Sequence, residues 1–293
     1  VTRWGFLAAA LLAIAGCAQP TPRYVVGDPY RMGGIWSYPK EDYALSGTGL
    51  AEVLPAPVSG SLTANGEALT AQGMIAAHRS LQLPAIIRVT NLENGRSMLL
   101  RVNDRGPEKP GRILGVSPRA GALLGMTPGR AAQIALVVDT EKSRAAAEGL
   151  PGQAPPPIAI AAAPRAAVMR EDLAPLPGTR EAPRREVQAL PTAAPVQEVA
   201  VPARAAIVAL PEAVTQGTPR PGLLFVDAGQ FFRRDTAEAV AARLPGARIN
   251  QLGSGRSAVF RVALGPFADV PGADLALERT LASGVSGARI IVE

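Results

Sequence analysis

Residues 103–107 read Asn-Asp-Arg-Gly-Pro. The carboxyl of Asp104 falls just past a strand-like run, and Gly106 and Pro107 fix a turn behind it, so the side chain can project into a groove. A carboxyl placed this way suits proton transfer: as an acid it protonates a leaving oxygen, and as the conjugate base it accepts a proton from an attacking hydroxyl. Two placements of Arg105 are open. Paired with Asp104, it would favour the charged form and weaken the acid; facing the opposite way, as consecutive residues of an extended segment do, it would anchor the loop or reach a ligand. His78 is the only histidine, and it either orients Asp104, holds substrate or is a satisfied structural side chain. Glu67 follows Asn65-Gly66 on a turn and either lines the same groove or lies plainly on the surface, and Asn103 would orient the loop through backbone hydrogen bonds. A single histidine and a single cysteine leave no set with zinc spacing, so no metal is expected. No Ser-His-Asp order, phosphate loop or dinucleotide fingerprint appears, and no cofactor is expected.

The cysteine has another use. Arg3 precedes an unbroken apolar run from Gly5 to Ala15, and Ile14-Ala15-Gly16-Cys17 closes it. The run is too short to span a bilayer and reads as a secretory signal over residues 1–16. Its last four residues resemble the lipobox, which implies a diacylglyceryl thioether on Cys17; buried acyl chains hold a leaflet at about 0.8 kcal/mol per CH₂. Ala18, rather than aspartate, implies an outer-membrane destination. The 293 residues carry a formal charge of +6, with a pI near 10.1. In an exported protein that charge suits a carboxylate-bearing wall or membrane surface, and the scattered basic residues are not interleaved with aromatics as nucleic-acid binding would require.

Elements must position these groups. Residues 17–45 read as a proline-interrupted tether in which Tyr24, Tyr30, Trp36, Tyr38 and Tyr43 are concentrated; packing against the next domain and a place near the membrane interface are both open. Residues 46–140 form a small β-rich domain. Ala85 to Val89 and Ser97 to Val102 are strands joined through Asn94-Gly95, Gln133 to Val138 is a third, and Arg119 to Gly125 is a short helical turn after Pro118. Short strands with glycine-rich corners favour a barrel over a sandwich. Prolines and alanines make residues 141–220 a disordered linker.

Residues 221–293 regain a pattern. Strands over 224–228, 247–251, 258–264 and 288–292 alternate with helices over 236–244 and 274–281, a β-α-β-β-α-β, ferredoxin-like α+β domain. Gly229-Gln230-Phe231 and Gly265-Pro266-Phe267 mark a half-repeat whose phenylalanines belong to the core. Gln230, Gln251 and Arg261 are candidate donors to a glycan on the open sheet face.

Five blocks in order carry a family resemblance: Thr63-Ala64-Asn65-Gly66-Glu67, Ala76-Ala77-His78, Leu83-Pro84, Arg88-Val89-Thr90-Asn91-Leu92 and Asn103-Asp104-Arg105-Gly106-Pro107. They resemble the rare lipoprotein A family, which implies a six-stranded double-psi β-barrel. Val226 to Phe231 and Arg261 to Phe267 resemble the two signatures of the sporulation-related repeat (SPOR) domain, which implies binding of glycan strands stripped of stem peptides. Some family members are lytic transglycosylases that cut the MurNAc–GlcNAc bond and leave a 1,6-anhydro end. The resemblance makes Asp104 the acid/base and His78 a second catalytic residue, with Asn65, Glu67 and Arg105 beside them. It also implies an outer-membrane lipoprotein facing the periplasm and working on denuded glycan at the division septum. A catalytically silent septal scaffold with the same folds is the alternative. The chain departs from the resemblance in three places: Gly49-Leu50-Ala51-Glu52-Val53 stands where an aromatic Ser-Trp-Tyr-Gly segment is usual, Gly115 stands where a second aspartate is usual, and Asp227 stands where the first strand of the repeat domain often has glutamine.

Overall fold

The computed structural model describes residues 21–153, 210–255 and 258–293. Cys17, the signal segment and most of the expected linker lie outside them.

After a short hairpin of β1 (Tyr30–Met32) and β2 (Ile35–Ser37), six strands build the first domain: β3 (Ser46–Val53), β4 (Ile75–Ala77), β5 (Ala85–Asn91), β6 (Arg96–Asp104), β7 (Arg112–Val116) and β8 (Ala132–Val138). They hydrogen-bond in the order β4-β7-β3-β8-β5-β6, and β4 pairs back onto β6, so each strand has two neighbours and the barrel is closed. The β3–β7 and β4–β6 pairs are parallel and the rest antiparallel. Closure leaves no unpaired edge among the six. Inward residues alternate along the strands, and Ile87, Val89, Met98, Leu100, Leu114, Val116, Ile134 and Leu136 fill the interior.

Helix α1 (Pro118–Leu123) follows Ser117, whose hydroxyl accepts from the Ala120 amide at 3.2 Å, with proline in the first turn where no amide is needed. The expected strands and helical turn are present; β3, β4 and β7 were not foreseen as strands. The barrel also extends past residue 140, where the sequence suggested linker. Helix α2 (Thr140–Ala147) packs on β5, and its fully buried Ser143 donates to the Ile86 carbonyl at 3.1 Å and accepts from the Ile86 amide at 2.8 Å. Residues 21–45 are likewise no free tether: Val25 bridges to Leu83, and Tyr24 is buried beside Ala147 and Leu150. Of the aromatic cluster, Trp36 and Tyr38 remain exposed. The chain returns through β9 (Thr215–Gln216), which pairs with the start of β6.

The C-terminal domain runs β10 (Leu224–Phe231), α3 (Arg234–Ala241), β11 (Arg248–Leu252), β12 (Val259–Phe267), α4 (Val270–Ala282) and β13 (Arg289–Val292). Its sheet is antiparallel in the order β11-β12-β10-β13, the β-α-β-β-α-β arrangement expected. Gly229 and Gly265 take nearly the same left-handed backbone, φ +123° and +126°, which only glycine adopts at low cost. Phe231 and Phe267 pack against the apolar clusters beneath. The two domains belong to one compact unit: Arg112 of β7 grips Asp274 of α4 through bonds of 2.6 and 2.9 Å, and Thr48 of β3 donates to the Val292 carbonyl at 2.6 Å.

Candidate functional site

A cleft of about 680 Å³ opens at one end of the barrel, within the roughly 300–1,000 Å³ usual for ligand sites. The ends of β3 and β6 and the loop after β6 supply Glu52, Asn103, Asp104, Arg105, Glu108 and Lys109 to its polar lining, which also includes Thr70 and Ser117. Leu54, Pro55, Pro57, Leu69, Ile75, Pro107 and Pro118 form apolar walls, with no aromatic ring among the lining residues. The β4–β6 pairing slips between Ala76 and Ala77, so that Val102 faces one and Asp104 the other. This bulge re-aims the strand end, and the consecutive residues Asn103 and Asp104 both border the cleft.

Asp104 is half-buried. Its Oδ1 accepts from the Ala64 amide at 2.9 Å and the Arg105 amide at 2.8 Å, while its Oδ2 has no hydrogen-bond partner among the described residues. One oxygen is therefore fixed and the other is available to a ligand. The Arg105 guanidinium does not pair with it: Nη1 donates to the Leu81 carbonyl and Nη2 to the Val26 carbonyl. Burial lowers the Arg105 pKa, with the charges of Tyr30 and Asp104 acting against it. Of the two placements open in the sequence, the structure shows the anchor.

Glu67 and Asn65, expected at the groove, lie beneath it instead. Both are buried, Asn65 fully and Glu67 at 4% exposure. Arg101 donates to Glu67 through Nε at 3.0 and 3.1 Å and through Nη2 at 2.6 Å, and Asn103 and Asn65 add bonds of 2.8 and 2.7 Å. Burial alone would raise the Glu67 carboxyl, but these donors and the Arg101 charge outweigh it and hold the group below its ordinary range. A carboxylate satisfied on every side cannot reach a ligand. The network pins residues 63–67 under the end of β6, and from there the Ala64 amide reaches Asp104.

His78 does not line this cleft. Its Nδ1 accepts from the Ser80 amide at 3.2 Å and the Leu81 amide at 3.1 Å, which places the neutral ring's proton on Nε2. Burial and the neighbouring Arg105 charge push its pKa down to about 4. The ring borders a second hollow, of about 420 Å³, together with Arg79, Gln230 and Arg261. Only the backbones of His78 and Asp104 meet, the His78 amide donating to the Asp104 carbonyl at 3.1 Å.

On the C-terminal sheet, Gln230, Arg261 and Asn250 stand in one transverse row. Gln230 is exposed, whereas Arg261 is 9% exposed and pairs with Asp227 at 3.4 Å and with Glu293. Gln251 falls in the next row, with Phe260 and Phe231, and so on the other face from Gln230 and Arg261. Among the described residues no group of three or more His, Cys, Asp or Glu side chains converges as metal ligands do.

A family model described as "Lytic transglycolase" matches residues 52–137, which span the cleft from Glu52 through Asp104. The endolytic peptidoglycan transglycosylase RlpA of Pseudomonas aeruginosa UCBPP-PA14 is 32% identical over 267 residues, covering 85% of this chain and 72% of its own. This chain belongs to the RlpA family. A second member, the endolytic peptidoglycan transglycosylase RlpA of Vibrio cholerae, is 32% identical over 165 residues, 44% of this chain and 61% of its own. The crystal structure of the RlpA SPOR domain from Pseudomonas aeruginosa covers 24% of this chain and 99% of its own, at 20% identity and a TM-score of 0.22. Within the region the family model matches, sequence reasoning missed Glu52. The one signal available was an acidic residue amid the apolar Leu50-Ala51 and Val53-Leu54, and without a recognised strand its facing was undefined.

Proposed function

We propose that the chain is an endolytic transglycosylase that cuts the MurNAc–GlcNAc bond of peptide-poor glycan and leaves 1,6-anhydroMurNAc ends, with Asp104 as the acid. The observation that carries this is the free Oδ2 of Asp104 in an open cleft large enough for sugar rings, with its Oδ1 held by two backbone amides. Asp104 protonates the leaving oxygen as the glycosidic bond breaks, and its conjugate base then takes the proton of the C6 hydroxyl as that oxygen bonds to C1, so the carboxyl is restored and the reaction needs no water or metal. The apolar cleft walls suit the faces of sugar rings.

His78 acts as a positioning residue in this proposal. It fixes the amides of Ser80 and Leu81, the Leu81 carbonyl holds the Arg105 guanidinium, and Arg105 fixes the loop that carries Asp104. Glu67 and Asn65 support the same loop from below. The C-terminal domain is a SPOR domain that holds denuded septal glycan through the sheet row of Gln230 and Arg261, and a lipid on Cys17 keeps the protein in the outer membrane, facing the periplasm.

The full chain in detergent, incubated with peptide-free glycan strands, tests the reading by mass spectrometry of the products. Anhydro ends that appear with the parent and vanish with Asp104→Asn are expected. Binding with no new ends would leave the septal scaffold as the function; the absence of any aromatic ring from the cleft lining is the observation on its side.

A further inference from the structure

The cleft at Asp104 and the hollow at His78 share one stretch of barrel wall. Strand β3 borders both, the hollow at Thr48 and the cleft at Glu52, and these four residues of strand span only about 13 Å. The β1–β2 hairpin stands between the two spaces: Met32 of β1 lines the cleft and Ile35 of β2 lines the hollow. Arg79, on the hollow side, reaches across. Its Nη1 donates to the Met32 carbonyl at 3.0 Å, and its Nη2 to the carbonyl of Glu108, a cleft residue, at 2.7 Å. In return the Tyr30 hydroxyl donates to the Arg79 carbonyl at 2.8 Å. Tyr30 is close enough to feel the charges of Arg79 and Asp104 together.

The hairpin is lightly built. Its strands have three residues each and pair as Tyr30–Ser37, Arg31–Trp36 and Met32–Ile35. A ribbon so short is marginal by itself and can open while the barrel stays folded. The chain is fastened on either side, by the Val25–Leu83 bridge and by the Lys40 amide on the Ser80 carbonyl at 2.9 Å. The hairpin can therefore lift as a flap between fixed ends. Its turn is Gly33-Gly34, both left-handed, with φ of +57° and +80°, as a two-residue hairpin turn requires. The two glycines differ in what they touch. A Cβ on Gly33 would stand 2.0 Å from the Glu108 carbonyl oxygen, whereas one on Gly34 would meet nothing within 4 Å. At Gly33 the turn is pressed backbone to backbone onto the rim of the cleft.

We propose that the cleft and the hollow are one glycan groove and that the β1–β2 hairpin is a strap across it, lifted when a long strand binds. This rests on the transglycosylase reading above. Cutting inside a strand requires the sugars on both sides of the broken bond to continue out of the site. A groove barred at one end favours chain ends instead. As seated, the hairpin bars the Asp104 cleft on the side of His78. With the hairpin lifted, a strand runs from Asp104 past the His78 ring to Gln230 and Arg261, which border the hollow from the C-terminal sheet. The His78 Nε2–H, unengaged among the described residues, borders that path as a donor. A strand that must displace the strap binds more weakly, in proportion to how rarely the strap is open.

The test compares the full-length parent with Gly33→Ala and Gly34→Ala. Both alanines meet a left-handed backbone, and only the first must leave the Glu108 carbonyl. On long peptide-free strands, Gly33→Ala is expected to lower KM for anhydro-end formation at least about fivefold with kcat within about twofold. Gly34→Ala is expected to leave both within about twofold. On tetrasaccharides, which stay within the Asp104 cleft, neither variant should move KM. An unchanged or raised KM of Gly33→Ala on long strands overturns the strap. So does an equal fall in Gly34→Ala, or an equal fall on tetrasaccharides. If Gly33→Ala does not fold, Tyr30→Phe decides by the same measurement, since it removes only the hydroxyl bond to Arg79. A second readout needs no cutting: hydrogen exchange of the 30–37 amides in Asp104→Asn, with and without long strands. Exchange at least about fivefold faster with glycan is expected, and unchanged or slower exchange overturns the proposal. A parent that releases no anhydro ends fails the transglycosylase reading, and the exchange result then still decides the strap.

Discussion

Asp104 and Arg105 are neighbours in sequence whose charged groups do not meet: the Asp104 carboxylate takes the Arg105 amide at 2.8 Å, while the Arg105 guanidinium is engaged by the carbonyls of Leu81 and Val26. The arginine thus fixes the loop without forming an ion pair with the acid. Asp104→Asn keeps the shape and the two amide contacts but has no proton to give, so kcat should fall by about 10²–10⁴-fold while the melting temperature changes little. Arg105→Ala should act differently, lowering both stability and rate as two backbone segments lose their common donor. Thermal melts beside product counts separate the two. A large loss of stability in Asp104→Asn would make Asp104 structural.

The Glu67–Arg101 pair is buried on both sides, at 4% and 8% side-chain exposure, with a 2.6 Å contact. Removing one partner strands the other charge. Glu67→Gln should cost about 3–5 kcal/mol of unfolding free energy, and pairing it with Arg101→Met should recover a good part of that. Urea unfolding of the two single variants and the double variant measures the coupling. Purely additive losses would contradict a coupled Glu67–Arg101 network.

His78 gives a pH signature. Its folded-state pKa is pushed down from 6.5 to about 4, so the unfolded chain takes up the proton first. The sign follows: its contribution is complete above pH 6.5 and is lost as pH falls toward 4, by about 3 kcal/mol in all. His78→Asn offers an oxygen to the same amides without titrating, and it should flatten the stability slope between those limits. Urea midpoints at several pH values decide the matter, and an unchanged slope in His78→Asn would place the titration elsewhere.

What could be read in the sequence follows from what periodicity encodes. Strands such as β5, β8 and β10 are rich in β-branched or aliphatic residues and are bounded by turn signals, and the C-terminal helices keep an apolar stripe; these were found to within a few residues. Strand β3 begins Ser-Gly-Thr-Gly and β4 is only Ile75–Ala77, so neither carries a local pattern, and closure of the barrel supplies their pairing. The ends of the linker were misjudged for a related reason. Alanine and proline composition hides Ser143 and Tyr24, whose buried contacts fasten the flanking segments. At the site, the Asp104 turn could be read from Gly106 and Pro107. Burial of Glu67 could not, because a carboxylate on a turn looks the same whether it faces solvent or an arginine from another strand. That Glu52 and Asp104 border one cleft follows only from the pairing of strands that are distant in sequence.

Gly115 is held to glycine by Leu54, not by its backbone. Its φ is not left-handed, but an added Cβ would meet the Leu54 Cδ2 at 2.7 Å. Gly115→Ala should therefore cost about 1–3 kcal/mol through overpacking, and Leu54→Ala in the same chain should return most of it. Urea unfolding of Gly115→Ala and of the double variant measures both terms, and a Gly115→Ala protein as stable as the parent would show that Leu54 gives way freely.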